Sequence, residues 1–212
     1  MDELKISNIE DMAGATQATV RGRNQRLVLG LIEEKGPLSR ADLVKLTEIS
    51  APTVSSIVDD LVAQELVKEL KPGPSSGGRK PIPLKFNGLR GYVIGIDVGG
   101  TNIEIGIADL AGKFKERSTF ASEQIGQGLT AVEGLAELTH KMIADSKVRA
   151  ENILGCGVVV PGVTDVNTGV VSLAPAFGWQ NMPLKDILAD RLNLPIYLEN
   201  DVNAAAFAPP PP

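Results

Sequence analysis

The spacing of apolar positions changes along the chain, and the change divides it. From residue 22 to about 62 they recur every three or four residues, the period of one helix face. Leu27, Val28, Leu31 and Ile32 form a first stripe and predict a helix over 22–35, closed by Gly36-Pro37. Leu43, Val44 and Leu46 form a second, opened by Ser39 with Asp42 at capping-box spacing. Val54, Ile57, Val58, Leu61 and Val62 form a third. Ser50 is its expected N-cap, and Pro52 falls in the first turn, where a missing N–H costs little. The opposite face of this third helix carries Thr53, Ser55, Ser56, Asp59 and Asp60. Two short strand-like runs follow, 66–70 and 82–86, with KPGPSSGGRKP between them. They predict a β-ribbon with a mobile, basic tip. Helix, helix, short turn, helix and ribbon is the layout of a winged helix-turn-helix.

From Tyr92 the period shortens. YVIGIDVGG is an apolar run ending in glycines, the pattern of a buried strand and a tight turn. NIEIGIADL alternates, with Ile103, Ile105 and Ile107 on one face. KFKERSTF reads as a third, more exposed strand, giving an antiparallel start. Residues 129–146 read as a helix with Ala131, Leu135, Leu138 and Met142 on its stripe. ILGCGVVVPG reads as another buried strand, 183–192 as a short helix and PIYLEND as a further strand. The order βββαβαβ is that of a ribonuclease-H-like, actin-type ATPase lobe. The expected fold class is therefore an α+β winged helix-turn-helix head followed by the first lobe of an α/β, actin-like ATPase (ribonuclease-H-like) fold. A helix begins at 203–206, and four prolines forbid its continuation. A lobe of this type should not stop there, so the end reads as a truncation, a frameshift or an engineered boundary. The expected organisation is a loose arm over 1–20, a DNA-binding head over 21–90, an incomplete lobe over 91–206 and an aberrant proline-rich tail over 207–212.

Composition adds little: 43% hydrophobic and 22% charged residues describe an ordinary globular chain. Aromatics are only 4%, so the cores must be aliphatic. The single cysteine, Cys156, excludes an internal disulfide framework and fits a reducing compartment. No apolar run approaches the roughly 18 residues of a membrane helix. The N-terminus MDELKISNIEDM lacks the apolar segment of a secretory signal, so the expected location is the cytoplasm. Charge says more. The net charge is −5, yet residues 21–90 hold twelve Lys and Arg against eight Asp and Glu, and 91–212 hold eight against fourteen. A basic head on an acidic remainder suggests two modules with different partners.

The first turn of the third helix is the part of such a head that enters a DNA major groove. Ala51, Pro52, Thr53, Ser55 and Ser56 occupy it. Hydroxyls bond bases or phosphates, and Ala or Pro can touch a thymine methyl. Arg40, with Lys45, Arg21, Arg23 and Arg26, is placed to neutralise phosphates. At the ribbon tip, Gly77 and Gly78 permit close approach, and Arg79 and Lys80 suit a narrow minor groove. The alternatives are a helical hairpin with a solvated Ser/Thr face and a flexible loop with ordinary surface charges.

SRADLVKLTEISAPTVSSIVDDL, GGRKP, DVGGT, VVPG, APAFGWQNMPL and ENDVN together resemble the ROK family of repressors and sugar kinases, over about 24–206. The resemblance is to its repressor branch. It implies a transcriptional regulator of carbohydrate-metabolism genes, expected to be a repressor. An operator duplex is the implied partner, a small sugar the effector, and a homo-oligomer built largely through the kinase-like lobes the assembly of the intact family, with this chain itself expected mostly monomeric or aggregated. A sugar kinase, or an inert fragment of either, is the alternative. In the family pattern Asp97, Gly99, Gly100 and Thr101 stand at the first phosphate motif. Glycine N–H groups would face phosphate oxygens, Thr101 would add a hydroxyl, and Asp97 would hold Mg²⁺ through water. A glycine hairpin between strands is the other reading. Pro161 and Gly162 stand near the sugar, and Asn200 and Asp201 in the sugar-holding E-N-D-x-N. In the kinases that Asp is the general base, and a helix N-cap is its alternative role.

Two residues depart from the pattern. Glu48 stands where such turns usually have Gly, putting a non-glycine residue in a left-handed conformation at roughly 1 kcal/mol. Ala176 replaces an Asn that normally helps hold sugar hydroxyls. The family's second phosphate loop, adenosine site and Cys/His zinc motif belong beyond residue 212. ATP with Mg²⁺, zinc and catalysis are therefore not expected of this chain. Cys156 is expected buried and inert, His140 on a helix surface, and Trp179 in packing.

Overall fold

The computed structural model describes residues 17–72 and 81–207. Contacts divide the chain into two units, Met1–Asn87 and Gly88–Pro212. In the first, α1 (Gln17–Lys35), α2 (Arg40–Thr47) and α3 (Ala51–Ala63) precede an antiparallel ribbon of β1 (Val67–Glu69) and β2 (Leu84–Phe86). Val28, Ile32, Leu43, Val54, Ile57, Val58 and Leu61 pack with Val67 and Leu84 in one core. Helix α1 starts at Gln17, so residues 17–20 are helical where a loose arm is expected. Leu27 and Leu46 are about half exposed, at 47% and 49%, although the stripes place them inside. One side of each helix suffices to fill so small a core, and the stripes are narrower than the sequence suggests.

Local chemistry fixes the two-helix turn. Ser39 N–H donates to Asp42 Oδ2 at 3.0 Å and Asp42 N–H donates to Ser39 Oγ at 3.2 Å, a reciprocal capping box. The bonds from Ser39 hold the Asp42 carboxyl below its ordinary pKa. Thr47 Oγ1 donates to Leu43 O at 2.7 Å and accepts the Ile49 N–H at 3.3 Å. Glu48 closes α2 at φ 58°, in the left-handed region, with its N–H on Val44 O at 3.0 Å. Ser50 departs from expectation. Its side chain caps no backbone N–H; its Oγ lies 2.8 Å from Thr53 Oγ1, and the two hydroxyls satisfy each other.

In the second unit, β3 (Tyr92–Val98), β4 (Asn102–Asp109) and β5 (Phe114–Ala121) pair antiparallel as expected. Helix α4 (Gly128–Ser146) leads to β6 (Ile153–Val160). Next come β7 (Val163–Asp165), β8 (Val170–Ala174) and β9 (Trp179–Met182), which form their own three-stranded sheet. Then α5 (Leu184–Leu192), β10 (Ile196–Asn200) and α6 (Asp201–Phe207) follow. The main sheet has the order β10-β6-β3-β4-β5. Ile94, Ile96 and Val98 join Ile103, Ile105 and Ile107, with Leu135 of α4 and Leu188 of α5, in the second core. The β7–β9 sheet is absent from the sequence reading, because strands of three to five residues are too short to display a period. Trp179 packs as expected: it stacks on Phe177 at 4.8 Å between centroids and donates Nε1–H to Gly128 O at 2.9 Å.

Glu48 carries a left-handed backbone that glycine adopts without strain. Glu48→Gly is expected to raise the stability of the first unit by about 0.5–1 kcal/mol, the relief of strain exceeding the entropy gained by the unfolded chain. The reading is a higher urea midpoint at unchanged slope. A lower midpoint would mean that Glu48 rests there unstrained.

Candidate functional site

Helix α3 turns about 100° per residue. With Val54, Ile57, Val58 and Leu61 fully buried, the opposite face falls to Pro52, Ser55, Ser56 and Asp59. Ala51, Pro52 and Ser56 are exposed, and Thr53 and Ser55 are half-buried. No bulky side chain stands on this face, so a surface can approach the helix closely. Its charged groups are already engaged. Arg21 donates to Ser56 Oγ at 3.1 Å and pairs with Asp60. Arg40, read from sequence as a phosphate contact, spends its fork within the protein. Its Nη2 donates to Asp59 Oδ1 at 2.8 Å and its Nη1 to Glu69 Oε1 at 2.6 Å. Burial alone would lower the Arg40 pKa, but the bonds to Glu69 and Asp59 outweigh it and hold the pKa above its ordinary value. Gly77, Gly78, Arg79 and Lys80 lie outside the described residues.

In the second unit β10, β6 and β3 run parallel and adjacent. The Gly99-Gly100-Thr101 turn, Pro161-Gly162 and Asn200-Asp201 therefore leave the sheet along one edge, where α/β sheets receive ligands. Asn200 ties two of these exits together. Its Nδ2 donates to Gly162 O at 2.6 Å, and its Oδ1 accepts the Val202 N–H at 2.9 Å. Gly162 sits at φ +95°, and a Cβ there would lie 2.1 Å from Leu173 O, so only glycine fits. Gly100 faces the segment holding Ala176: a Cβ built on it would lie 4.0 Å from the Ala176 Cβ.

Gly99 corrects the reading of the first motif. Its N–H donates to Asn102 O at 2.9 Å, and its carbonyl accepts Ser122 Oγ–H at 2.7 Å. A Cβ on it would lie 2.8 Å from Asn102 O. Glycine is required by the tight hairpin, and this N–H is not turned to a phosphate. The surrounding charge agrees. Register sets Glu199, Val159, Asp97 and Glu104 in one row across the sheet, and partnered side chains share a face. Burial, helped by the charges of Glu104 and Asp201, pushes the Asp97 carboxyl above its ordinary pKa. Bonds from Asn203 and the Asn200 N–H hold Glu199 below its own. Like charge therefore gathers along this edge. Asp201 opens α6 and accepts the Val202 N–H on Oδ1 at 2.9 Å, so it serves the helix start.

Glu104 is missing from the sequence reading, and Glu199 enters it only as the first residue of ENDVN, with no role of its own. The signal for Glu104 is present in NIEIGIADL, where it points away from the buried isoleucines. The place of Glu199 in the row with Asp97 and Glu104 is found only through the strand register. Cys156 is buried, and burial pushes its thiol up to about 12. His140 is exposed and lies with Nε2 3.1 Å from Arg191 O, a contact that needs the proton on that nitrogen. Among the described residues, no three His, Cys, Asp or Glu side chains are grouped to hold a metal ion.

The raised Asp97 pKa has a stability sign. A carboxyl whose folded pKa lies above its unfolded value contributes most when protonated, and that contribution is lost as pH rises through the two values. Asp97 is solvent-exposed, so screening weakens the effect, and Asp97→Asn is expected to raise the thermal midpoint of the second unit near neutral pH by no more than about 1 °C. The gain should vanish below the ordinary carboxylate range, where Asp97 itself is protonated. An equal midpoint at neutral pH would contradict repulsion within the acidic row.

Comparison with known proteins adds to this geometry. Residues 93–209 match the ROK family, and residues 22–77 match the MarR family. The "Xylose repressor" of Caldicellulosiruptor bescii is 36% identical over 187 residues, covering 87% of this chain and 46% of that protein. The "Xylose repressor" of Bacillus spizizenii is 36% identical over 193 residues, covering 91% of this chain and 50% of that one. The chain spans about half the length of the curated relatives it matches. A crystal structure of a ROK family transcriptional regulator, described as a homologue of the E. coli MLC protein, aligns with a TM-score of 0.71 at 22% identity. That alignment covers 88% of this chain and 47% of the other. At this identity the likeness is one of fold, a helix-turn-helix head and a sugar-kinase-like sheet. The ROK match takes in more than half of the 212 residues, behind a MarR-type winged helix-turn-helix, and the chain belongs to the ROK family.

Proposed function

We propose that this chain is part of a transcriptional repressor of carbohydrate-metabolism genes, whose head reads an operator duplex and whose lobe takes a small sugar. The observation that carries the reading is the outward face of α3. Small residues, Ala51, Pro52, Thr53, Ser55 and Ser56, stand opposite a fully buried stripe, and the acids beside them are neutralised from within. A major groove accepts such a face. Arg79 and Lys80 of the ribbon are assigned to the flanking minor groove and backbone. Relatives named xylose repressors support this function and make xylose the first sugar to test.

Asp97, Asn200 and Asp201, with the Pro161-Gly162 exit, form the candidate sugar edge. Carboxylates and amides accept hydrogen bonds from hydroxyls, which suits an uncharged sugar better than a phosphate. Phosphoryl transfer has less support, because it needs the phosphate cradle from which Gly99 N–H has been withdrawn. Among the described residues no helix is long and apolar enough to cross a membrane. A DNA reader of this kind works in the cytoplasm, as a homodimer on paired half-sites.

The test is selection of duplexes from a random pool on the 212-residue chain, followed by titration at fixed salt. Ser55→Asp is expected to weaken binding at least about thirtyfold, by setting a carboxylate against the groove. Arg79→Ala is expected to cost several-fold and to relax preference for A/T-rich flanks. Xylose should weaken binding by the native chain, and less so after Asp201→Asn. Failure to enrich any duplex over shuffled competitor would defeat the reading.

A further inference from the structure

We infer that Arg40 is a positioning residue for DNA recognition, acting through Asp59 of α3 and Glu69 of β1 rather than through a phosphate. The inference rests on the DNA-binding reading above. Arg40 is the first residue of α2, at the positive end of the helix dipole, where a cation is electrostatically disfavoured. Its placement is explained by what its fork holds. One arm reaches Asp59 at 2.8 Å and the other Glu69 at 2.6 Å, so a single planar group joins three elements. The guanidinium side chain is 29% exposed, against 68% for Asp59 and 39% for Glu69. It therefore sits behind the carboxylates it binds.

The backbone beneath it is preset. The Ser39–Asp42 capping box holds the first turn of α2. Just before it, Leu38 N–H donates to Leu84 O at 3.1 Å, and Leu84 N–H donates to Leu38 O at 2.8 Å, fastening this segment to the ribbon. The clamp spans the groove between α3 and the ribbon that Ser39, Ser55, Asp59, Glu69 and Ile82 line. Two consequences follow. The clamp sets the distance from the recognition helix to the ribbon, the two parts meant to touch DNA. It also neutralises Asp59, which stands one turn beyond Ser55 on the outward face and would otherwise repel phosphates. Arg21 serves Asp60 in the same way from α1.

The test is a cycle of variants in the full 212-residue chain, titrated with a selected duplex over a range of salt. Arg40→Gln is expected to weaken binding about tenfold in the native background, and less than about threefold in an Asp59→Asn/Glu69→Gln background. In the Asp59→Asn/Glu69→Gln background, where no carboxylate is left uncompensated, Arg40→Gln should leave the slope of log affinity against log salt unchanged. Arg40→Lys, which keeps the charge but not the fork, should fall between native and Arg40→Gln. A direct phosphate contact gives equal losses in both backgrounds and a slope shallower by about 0.9, and either result overturns the inference. If the native chain selects no duplex, the repressor reading itself has failed. The positioning role is then judged in the free protein, by amide exchange of Leu70, whose N–H donates to Pro83 O at 2.8 Å beside Glu69. Faster exchange in Arg40→Gln supports the clamp, and unchanged exchange overturns it.

Discussion

Backbone hydrogen bonds among β3, β6 and β10 bring three strand ends side by side, and the chemistry of the second unit depends on that pairing. Parallel strands must exit at the same edge, so residues far apart in sequence become neighbours there. Gly100 follows β3, Gly162 follows β6 and Asp201 follows β10. The same register lines up Glu199, Asp97 and Glu104 on one face of the sheet. A one-residue slip would turn each of these side chains to the other face. The buried run of Ile103, Ile105 and Ile107 forbids the slip on β4, because it would expose three isoleucines at once. Hydrophobic burial thus sets the acidic row as surely as it sets the core.

The first unit solves a different problem. A recognition helix, the role proposed for α3, needs an outward face that tolerates phosphate, yet Asp59 and Asp60 stand on or beside that face. Arginines from α1 and α2 meet them, and each pairing also fastens α3 to a neighbour. Exposed ion pairs are worth little to stability, commonly under about 1 kcal/mol. Their value here lies in geometry and local charge. That separates them from the capping box and the Glu48 turn, which fix the path of the chain itself.

Much of this was legible from residue order. The three helices, the ribbon and the capping box follow from spacing and residue type, because each is decided within a few residues, while the left-handed Glu48 is expected only from the family resemblance. The alternation of NIEIGIADL and the glycines after Val98 likewise announce a hairpin. What stayed hidden depended on distant partners. The use of Gly99 N–H by Asn102 O is set by how tightly the hairpin closes, and it reverses the reading of a glycine as a phosphate donor. The engagement of Arg40 by Glu69 spans 29 positions, and no local pattern marks it. Leu27 and Leu46 look internal by period, but the small core leaves them no place.

Net charge is a poor guide to the partner of such a chain. The whole carries −5, which taken alone argues against a polyanion. Charges interact over about 8–10 Å at physiological salt, so DNA responds to what lies within that distance of its backbone. Under the proposed function, the two aspartates on α3 stand within that distance, and a single uncompensated carboxylate there would oppose binding directly. Pairing both aspartates to arginines therefore does more for the local field than the same arginines would do as free cations elsewhere on the head. If the head binds DNA as proposed, where its charges are neutralised bears on recognition as much as how many it carries, and the arginines that do this need not touch the DNA.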